Sequence, residues 1–158
     1  MRPIGSLIKP AVFLTGLDEG YTLATPLLDS GDGLRSQTGD WKPQNYDKKE
    51  HGLVPLYYAL AKSYNLATVH LGLNVGLEKV LSNIYKLGYQ EPIAAYPSLL
   101  LGAIEMSPLQ VSQLYQTIGS GGFYQPLRSI QSVITKEGEL LTRYGLEIEQ
   151  RFSPALIE

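Results

Sequence analysis

The chain contains no cysteine, which excludes disulfides, thiolate metal sites and a cysteine nucleophile. That composition is compatible with an oxidising compartment without requiring one. Only two histidines occur, His51 and His70, far apart and without a neighbouring ligand pattern, so no zinc site is expected. Neither sign of charge dominates: 13 basic and 15 acidic residues give a formal charge of -2, and the densest cluster, 47–50, is mixed. This balance argues against a nucleic-acid partner. Long apolar runs are also missing. The stretch 99–106 is interrupted by Gly102 and Glu105 and falls far short of the ~20 residues a membrane helix needs. Met1-Arg2-Pro3 does not lead into an export signal. The expectation is that this chain neither spans a membrane nor directs its own export, so that delivery outside the cytoplasm would depend on something beyond it.

What is present is the material of one domain, or part of one: 158 residues, 44% hydrophobic and 18% charged. Residues 4–17 are apolar and predict a short buried helix with Ser6 as its N-cap, which puts Pro10 at the fourth helical position. Residues 18–51 are polar and rich in Gly, Asp, Ser, Pro and Asn, and predict a long loop. Within it Asp29 and Asp32 fit no calcium-loop spacing, and turn formation accounts for both. Pro55 starts a helix that turns Leu56, Tyr57 and Leu60 inward and ends near Ser63-Tyr64-Asn65, where a loop begins. Leu77, Val80, Leu81 and Ile84 share one helical face, with Gly88 as the stop. Ser107-Pro108-Leu109-Gln110 is a capping box with proline at the first helical position, followed by Val111, Leu114, Tyr115 and Ile118. Gly119-Ser120-Gly121-Gly122 ends that helix and lacks the spacing of a phosphate loop. A strand over 123–127 follows, then a hairpin of 130–135 and 140–144 around a Lys136-Glu137-Gly138-Glu139 turn. Residues 152–155 open another helix. The fold class is α+β, a helical region followed by strands. The eleven tyrosines and His70 read as packing residues.

Two local patterns could carry chemistry. Ser6 and Lys9 lie three apart on a helix, one face and about 5–6 Å between Cβ atoms, so the amine could take the hydroxyl proton. A neutral lysine requires a pKa well below ~10.4, which burial among Ile4, Leu7, Ile8, Val12 and Phe13 would provide. A capping serine beside a solvated lysine explains the same pair. Ser63 and Asn65, a hydroxyl and an amide two apart in a loop, can face one cleft, one relaying a proton and the other binding a substrate amide. A helix end followed by a turn explains them equally.

Taken together, a single Ser-x-x-Lys followed by a single Ser-x-Asn is the pairing associated with penicillin-binding proteins and class A β-lactamases. The segment Arg2-Pro3-Ile4-Gly5-Ser6-Leu7-Ile8-Lys9-Pro10 resembles the nucleophile segment of class A, bifunctional penicillin-binding proteins. Trp41-Lys42-Pro43-Gln44-Asn45-Tyr46-Asp47 resembles their Trp-x-Pro-x-Asn loop and Ala61-Lys62-Ser63-Tyr64-Asn65 their second motif. Ser98-Leu99-Leu100-Leu101-Gly102-Ala103 with Ser107-Pro108 resembles their later helical segment. The likeness runs from Arg2 to about Ala155.

The resemblance implies a partial transpeptidase fold of the penicillin-binding-protein and β-lactamase type and a D,D-transpeptidase activity. Ser6 would be the nucleophile, Lys9 the general base, Ser63 a proton relay and Asn65 a hydrogen-bond donor to the substrate amide. Peptidoglycan stem peptides and β-lactam antibiotics are the implied partners, and no metal or organic cofactor is implied. The whole protein would be membrane-anchored and act on the periplasmic side of the bacterial inner membrane.

The family's third motif, Lys-Thr/Ser-Gly, occurs nowhere in the sequence: Thr15-Gly16 and Thr38-Gly39 lack the preceding lysine. The expectation is a 1–158 partial domain without that strand and without the strands that precede the nucleophile. That strand would supply one of two oxyanion donors, a loss worth about 100- to 1,000-fold in rate. An inactive fragment or interaction module is therefore the alternative. A β-lactamase or carboxypeptidase fits less well, because the Trp41 loop and residues 98–122 resemble the biosynthetic enzymes.

Overall fold

The computed structural model describes residues 1–34 and 41–157. The part of the 18–51 loop covering 35–40, Thr38-Gly39 included, lies outside the described residues.

At the centre is helix α1 (Lys9–Asp18), with Lys9 and every residue from Ala11 to Gly16 buried. A helix buried on nearly all sides belongs in the middle of a domain. The chain enters it differently from the sequence expectation. A 3₁₀ turn, Gly5–Ile8, comes first, Ile8 is the N-cap, and Ser6 caps nothing. Pro10 explains the change. In an α-helix running through Ser6, residue 10 would have to donate to the Ser6 carbonyl four residues back; Pro10 has no N–H to give, and its ring would collide with that carbonyl. Instead the Lys9 N–H takes that carbonyl in a three-residue step. The result is a nucleophile candidate on a tight turn, two residues ahead of the α-helical N-cap.

Two helices flank α1 on the sequence side of Ser63: the short α2 (Leu56–Ala61) and, after a three-residue turn, α3 (Asn65–Val75). The loop expected after Asn65 is in fact α3. Seven of its residues are buried, Thr68 among them, so its sequence carries no amphipathic rhythm. Gly16 faces Leu71 across the α1–α3 contact, and Gly72 lies so close to Leu100 that a Cβ would stand 2.3 Å from its Cδ2. In α2, Leu56 is buried and Leu60 packs on the core, but Tyr57 is turned to solvent, against expectation. Next comes α4 (Leu77–Lys86), amphipathic as predicted, with Val80, Leu81 and Ile84 buried and Gly88 at φ +112 just beyond.

The long loop is interrupted by a strand that the sequence reading missed. Strands β2 (Pro26–Asp29) and β3 (Gly52–Pro55) pair antiparallel, Leu27 opposite Val54 and Asp29 opposite Gly52. Leu27 and Asp29 point into the core. A second short ladder joins β1 (Arg2–Pro3) to β4 (Glu105–Met106), fastening the segment before Ser6 to the one that follows the 3₁₀ turn Pro97–Leu101.

Helix α5 (Pro108–Gly119) carries the predicted capping box in full: Ser107 Oγ accepts from Gln110 N–H and Gln110 Oε1 accepts from Ser107 N–H. Beyond it, β5 (Phe123–Tyr124) is shorter than predicted and pairs with β8 (Glu149–Gln150), a strand not anticipated. The predicted hairpin is present as β6 (Ser132–Ile134) and β7 (Leu140–Arg143). The chain closes with α6 (Pro154–Ile157), entered through the buried Phe152. The architecture is α+β, a helical body edged, among the described residues, by four two-stranded ladders. Among the described residues no helix is long and apolar enough to cross a membrane.

Candidate active site

Ser6 is positioned by backbone stitching. Ile4 N–H donates to the Ile104 carbonyl at 3.0 Å and Gly5 N–H to the Gly102 carbonyl at 3.2 Å. Gly5 and Gly102 have φ of +55 and +79, and a Cβ on Gly102 would lie 2.1 Å from the Gly5 carbonyl oxygen. Only glycine permits that approach and that backbone at residue 102. The Tyr115 hydroxyl donates to the Leu7 carbonyl from α5. These contacts leave the Ser6 side chain at the surface.

Directly beneath it Lys9 is buried, 1% exposed. An ammonium so removed from water costs several kcal/mol unless its three hydrogens are all bonded. Here they are: Lys9 Nζ donates to the Ser63 carbonyl at 2.6 Å, Ser63 Oγ at 2.8 Å and Asn65 Oδ1 at 2.6 Å. Loss of hydration lowers its pKa from 10.5 to about 8, with the negative charge of Asp29 acting in the opposite sense. The amine makes none of these bonds to Ser6; the path runs through Ser63, whose Oγ donates to Ser6 Oγ at 3.4 Å.

Ser63 presents both its oxygens to one amine because its backbone is left-handed, φ +57. For a residue with a Cβ that conformation costs about 1 to 2 kcal/mol, and such strain is concentrated at functional sites. Asn65 is the first residue of α3, not a loop residue. Its Nδ2 donates to the Gln44 carbonyl at 2.7 Å, which leaves Oδ1 facing Lys9.

The opening N–H groups of α3, which no helix can satisfy internally, are taken by side chains from the preceding segments. Asn45 Oδ1 accepts from Asn65 N–H at 2.7 Å and Leu66 N–H at 3.3 Å, and Asp29 Oδ1 accepts from Ala67 N–H at 2.9 Å. Asp29 Oδ2 accepts from Asn45 Nδ2 at 2.6 Å and lies 2.6 Å from His51 Nδ1. His51 stacks on Tyr64, centroids 4.0 Å apart and planes at 12°, and its pKa is raised chiefly by the bond to Asp29. Among the described residues every buried side-chain nitrogen or oxygen has a partner.

The structure thus brings Ser6, Lys9, Ser63 and Asn65 into one cluster. It also corrects the reading of Asp29, a fully buried carboxylate at the end of β2, whereas Asp32 does sit in a turn, its N–H on Ser30 Oγ. His70 is a packed histidine against the Ser30 carbonyl. Sequence reasoning missed Asp29 and His51 as parts of the site. The usable signal was the alternation of Leu27 and Asp29 on one strand face, which demands a partner for a buried acid.

Comparison with known proteins follows the same residues. A description of the penicillin-binding-protein transpeptidase domain matches residues 2–151. Penicillin-binding protein 1B of Vibrio cholerae serotype O1 is 45% identical over 144 residues, 89% of this chain and 18% of that protein. Penicillin-binding protein 1A from Haemophilus influenzae, solved by crystallography, superposes with a TM-score of 0.82 at 25% identity, over 91% of this chain and 22% of that one. Penicillin-binding protein A from M. tuberculosis, solved as an imipenem acyl-enzyme complex, shares the fold with a TM-score of 0.85 at 20% identity, over 99% of this chain and 41% of that one. The chain therefore spans less than a quarter of the length of its curated relative. With a match over nearly its whole length and a fold shared to the same extent, this chain belongs to the penicillin-binding-protein transpeptidase domain family.

Proposed function

We propose that this chain carries the acyl-serine machinery of a peptidoglycan D,D-transpeptidase. The observation that carries the reading is the hydrogen-bonded path from the buried Lys9 amine through Ser63 Oγ to the exposed Ser6 Oγ. In its neutral form Lys9 accepts the Ser63 proton while Ser63 accepts that of Ser6. The freed Ser6 oxygen bonds to the carbonyl carbon between two terminal D-alanines. The carbon–nitrogen bond breaks, and the departing D-alanine amine receives the proton by the reverse path. An amine of a neighbouring stem peptide then attacks the ester, forms the cross-link and returns Ser6 to its hydroxyl. Asn65 Nδ2 has two hydrogens. One bonds Gln44, and the second is the donor to the substrate amide.

With a pKa of about 8, roughly one lysine in ten is neutral at pH 7, enough for a base whose conjugate acid must also return the proton. A β-lactam presents a strained carbonyl to the same oxygen and acylates it. The whole protein acts at the periplasmic face of the bacterial inner membrane and is anchored there. Read with the family's order of motifs, residues 1–158 are part of a transpeptidase domain, without the Lys-Thr/Ser-Gly strand.

One observation favours a second reading. The sequence has no Lys-Thr-Gly or Lys-Ser-Gly, and with it goes one oxyanion donor. A folded but inactive interaction module is that reading. Labelling with a fluorescent penicillin, read by intact mass and peptide mapping, separates the two. A stoichiometric adduct on Ser6, absent from Ser6→Ala and Lys9→Ala, is the expected result. Folded protein without an adduct would sink the enzymatic reading.

A further inference from the structure

We infer that Asp29, partnered by His51, is a positioning residue of this site: it fixes the orientation of the Asn45 amide and sets the charge environment of Lys9. The inference rests on the reading of Ser6 as the acylated nucleophile.

The geometry leaves the amide no alternative orientation. Asp29 has two acceptor oxygens and no hydrogen to give when ionised. Oδ1 takes the Ala67 N–H of α3, so Oδ2 is the atom facing Asn45 and His51. Because Oδ2 only accepts, Asn45 must present its Nδ2, and its Oδ1 is thereby turned toward α3. There it accepts the N–H of Asn65, whose own Oδ1 holds Lys9. Three hydrogen bonds run from a carboxylate in β2 to the amine under Ser6. Were residue 29 an asparagine, its one oxygen could not serve Ala67 and Asn45 together without confronting a donor with a donor. An unmatched buried polar pair is expensive.

Charged and polar groups from several elements surround this acid. His51 faces it from the segment before β3, with Tyr64 stacked behind the imidazole. Asp47 lies 3.1 Å from the other ring nitrogen, and Lys49 offers its carbonyl to Asn45. Glu50 is turned away, bonded to Ser30 and Gly31, and His70 meets only the Ser30 carbonyl. From α1, Lys9 is a cation whose protonated form the charge of Asp29 favours.

The experiment is the rate of acylation of the full-length protein by fluorescent penicillin across pH 5.5 to 10, for wild type, Asp29→Asn and His51→Gln, with Ser6→Ala as the blank. Asp29→Asn should lower the high-pH plateau about 10- to 100-fold, the scale of a small misplacement at a reacting centre. It should also move the acid limb to lower pH, since Lys9 loses the charge that favours its proton. His51→Gln removes the ring that lies 2.6 Å from Oδ2 but leaves the charge of Asp29 in place, so it should lower the plateau without moving the limb. A merely structural role would lower plateaus without moving the limb of Asp29→Asn. If Asp29→Asn does not fold, the lowered plateau and unmoved limb of His51→Gln carry the test. An unchanged plateau and limb in every folded variant, with wild type labelled on Ser6, would overturn the inference alone. An unlabelled wild type would instead remove the reading beneath it.

Discussion

Lys9 answers to two opposed demands. Burial removes its hydration and favours the neutral form, while the negative charge of Asp29 favours the ammonium. The balance lies at about 8. Since the lowered pKa makes the neutral base accumulate as pH rises, the rate of Ser6 acylation should climb through pH 8 and level off above it. Arginine in its place stays charged at any accessible pH, so Lys9→Arg should lose on the order of 100-fold or more, the contribution of a general base. A labelling time course over pH checks both, and a flat profile in wild type would exclude Lys9 as the base. The proximity of Ser6 and Lys9 was readable from a three-residue interval. The interposition of Ser63 was not, because it depends on a left-handed backbone 54 residues away that no local pattern announces.

Elements whose signals are local were legible, and those built by tertiary contacts were not. Helix α5 declares itself through Ser107-Pro108-Leu109-Gln110, and both halves of that box are formed. Ser107→Ala should therefore lower stability by about 1 kcal/mol, measured as a shift in the urea midpoint with unchanged slope. Labelling at saturating penicillin should be retained, since the Ser107 side chain caps α5 itself and the hydrogen bond to the nucleophile turn comes from Tyr115. Helix α3 is the opposite case. Its N-cap residue, Tyr64, contributes no side-chain cap, and its first N–H groups are met by Asn45 and Asp29, 20 and 38 residues upstream. Strand β2 escaped for a related reason: four residues in a polar stretch acquire their role only from β3 and from the burial of Asp29.

At the scale of the molecule, stability and the site share one body, and the hairpin stands apart from it. Leu100 anchors the 3₁₀ turn that Gly102 follows directly; Gly102 holds Gly5 in place, and Leu100 itself rests on Gly72 of α3. By contrast Val133, Ile134, Leu140 and Leu141 are all exposed, and among the described residues β6 and β7 pair only with each other. Substitution should divide the molecule along that line. In Gly72→Ala the new methyl meets Leu100, which is fully buried and has nowhere to retreat. Overpacking of this kind costs about 1 to 3 kcal/mol. Because the strain is transmitted through the turn to Gly102, acylation of Ser6 should slow as well. Leu141→Thr, on the exposed hairpin, should stay within about 0.5 kcal/mol of wild type and label at the same rate. Urea titration and penicillin labelling of the two variants side by side decide the matter. If Leu141→Thr disturbed labelling as much as Gly72→Ala, the helical body would not be what holds the nucleophile in place.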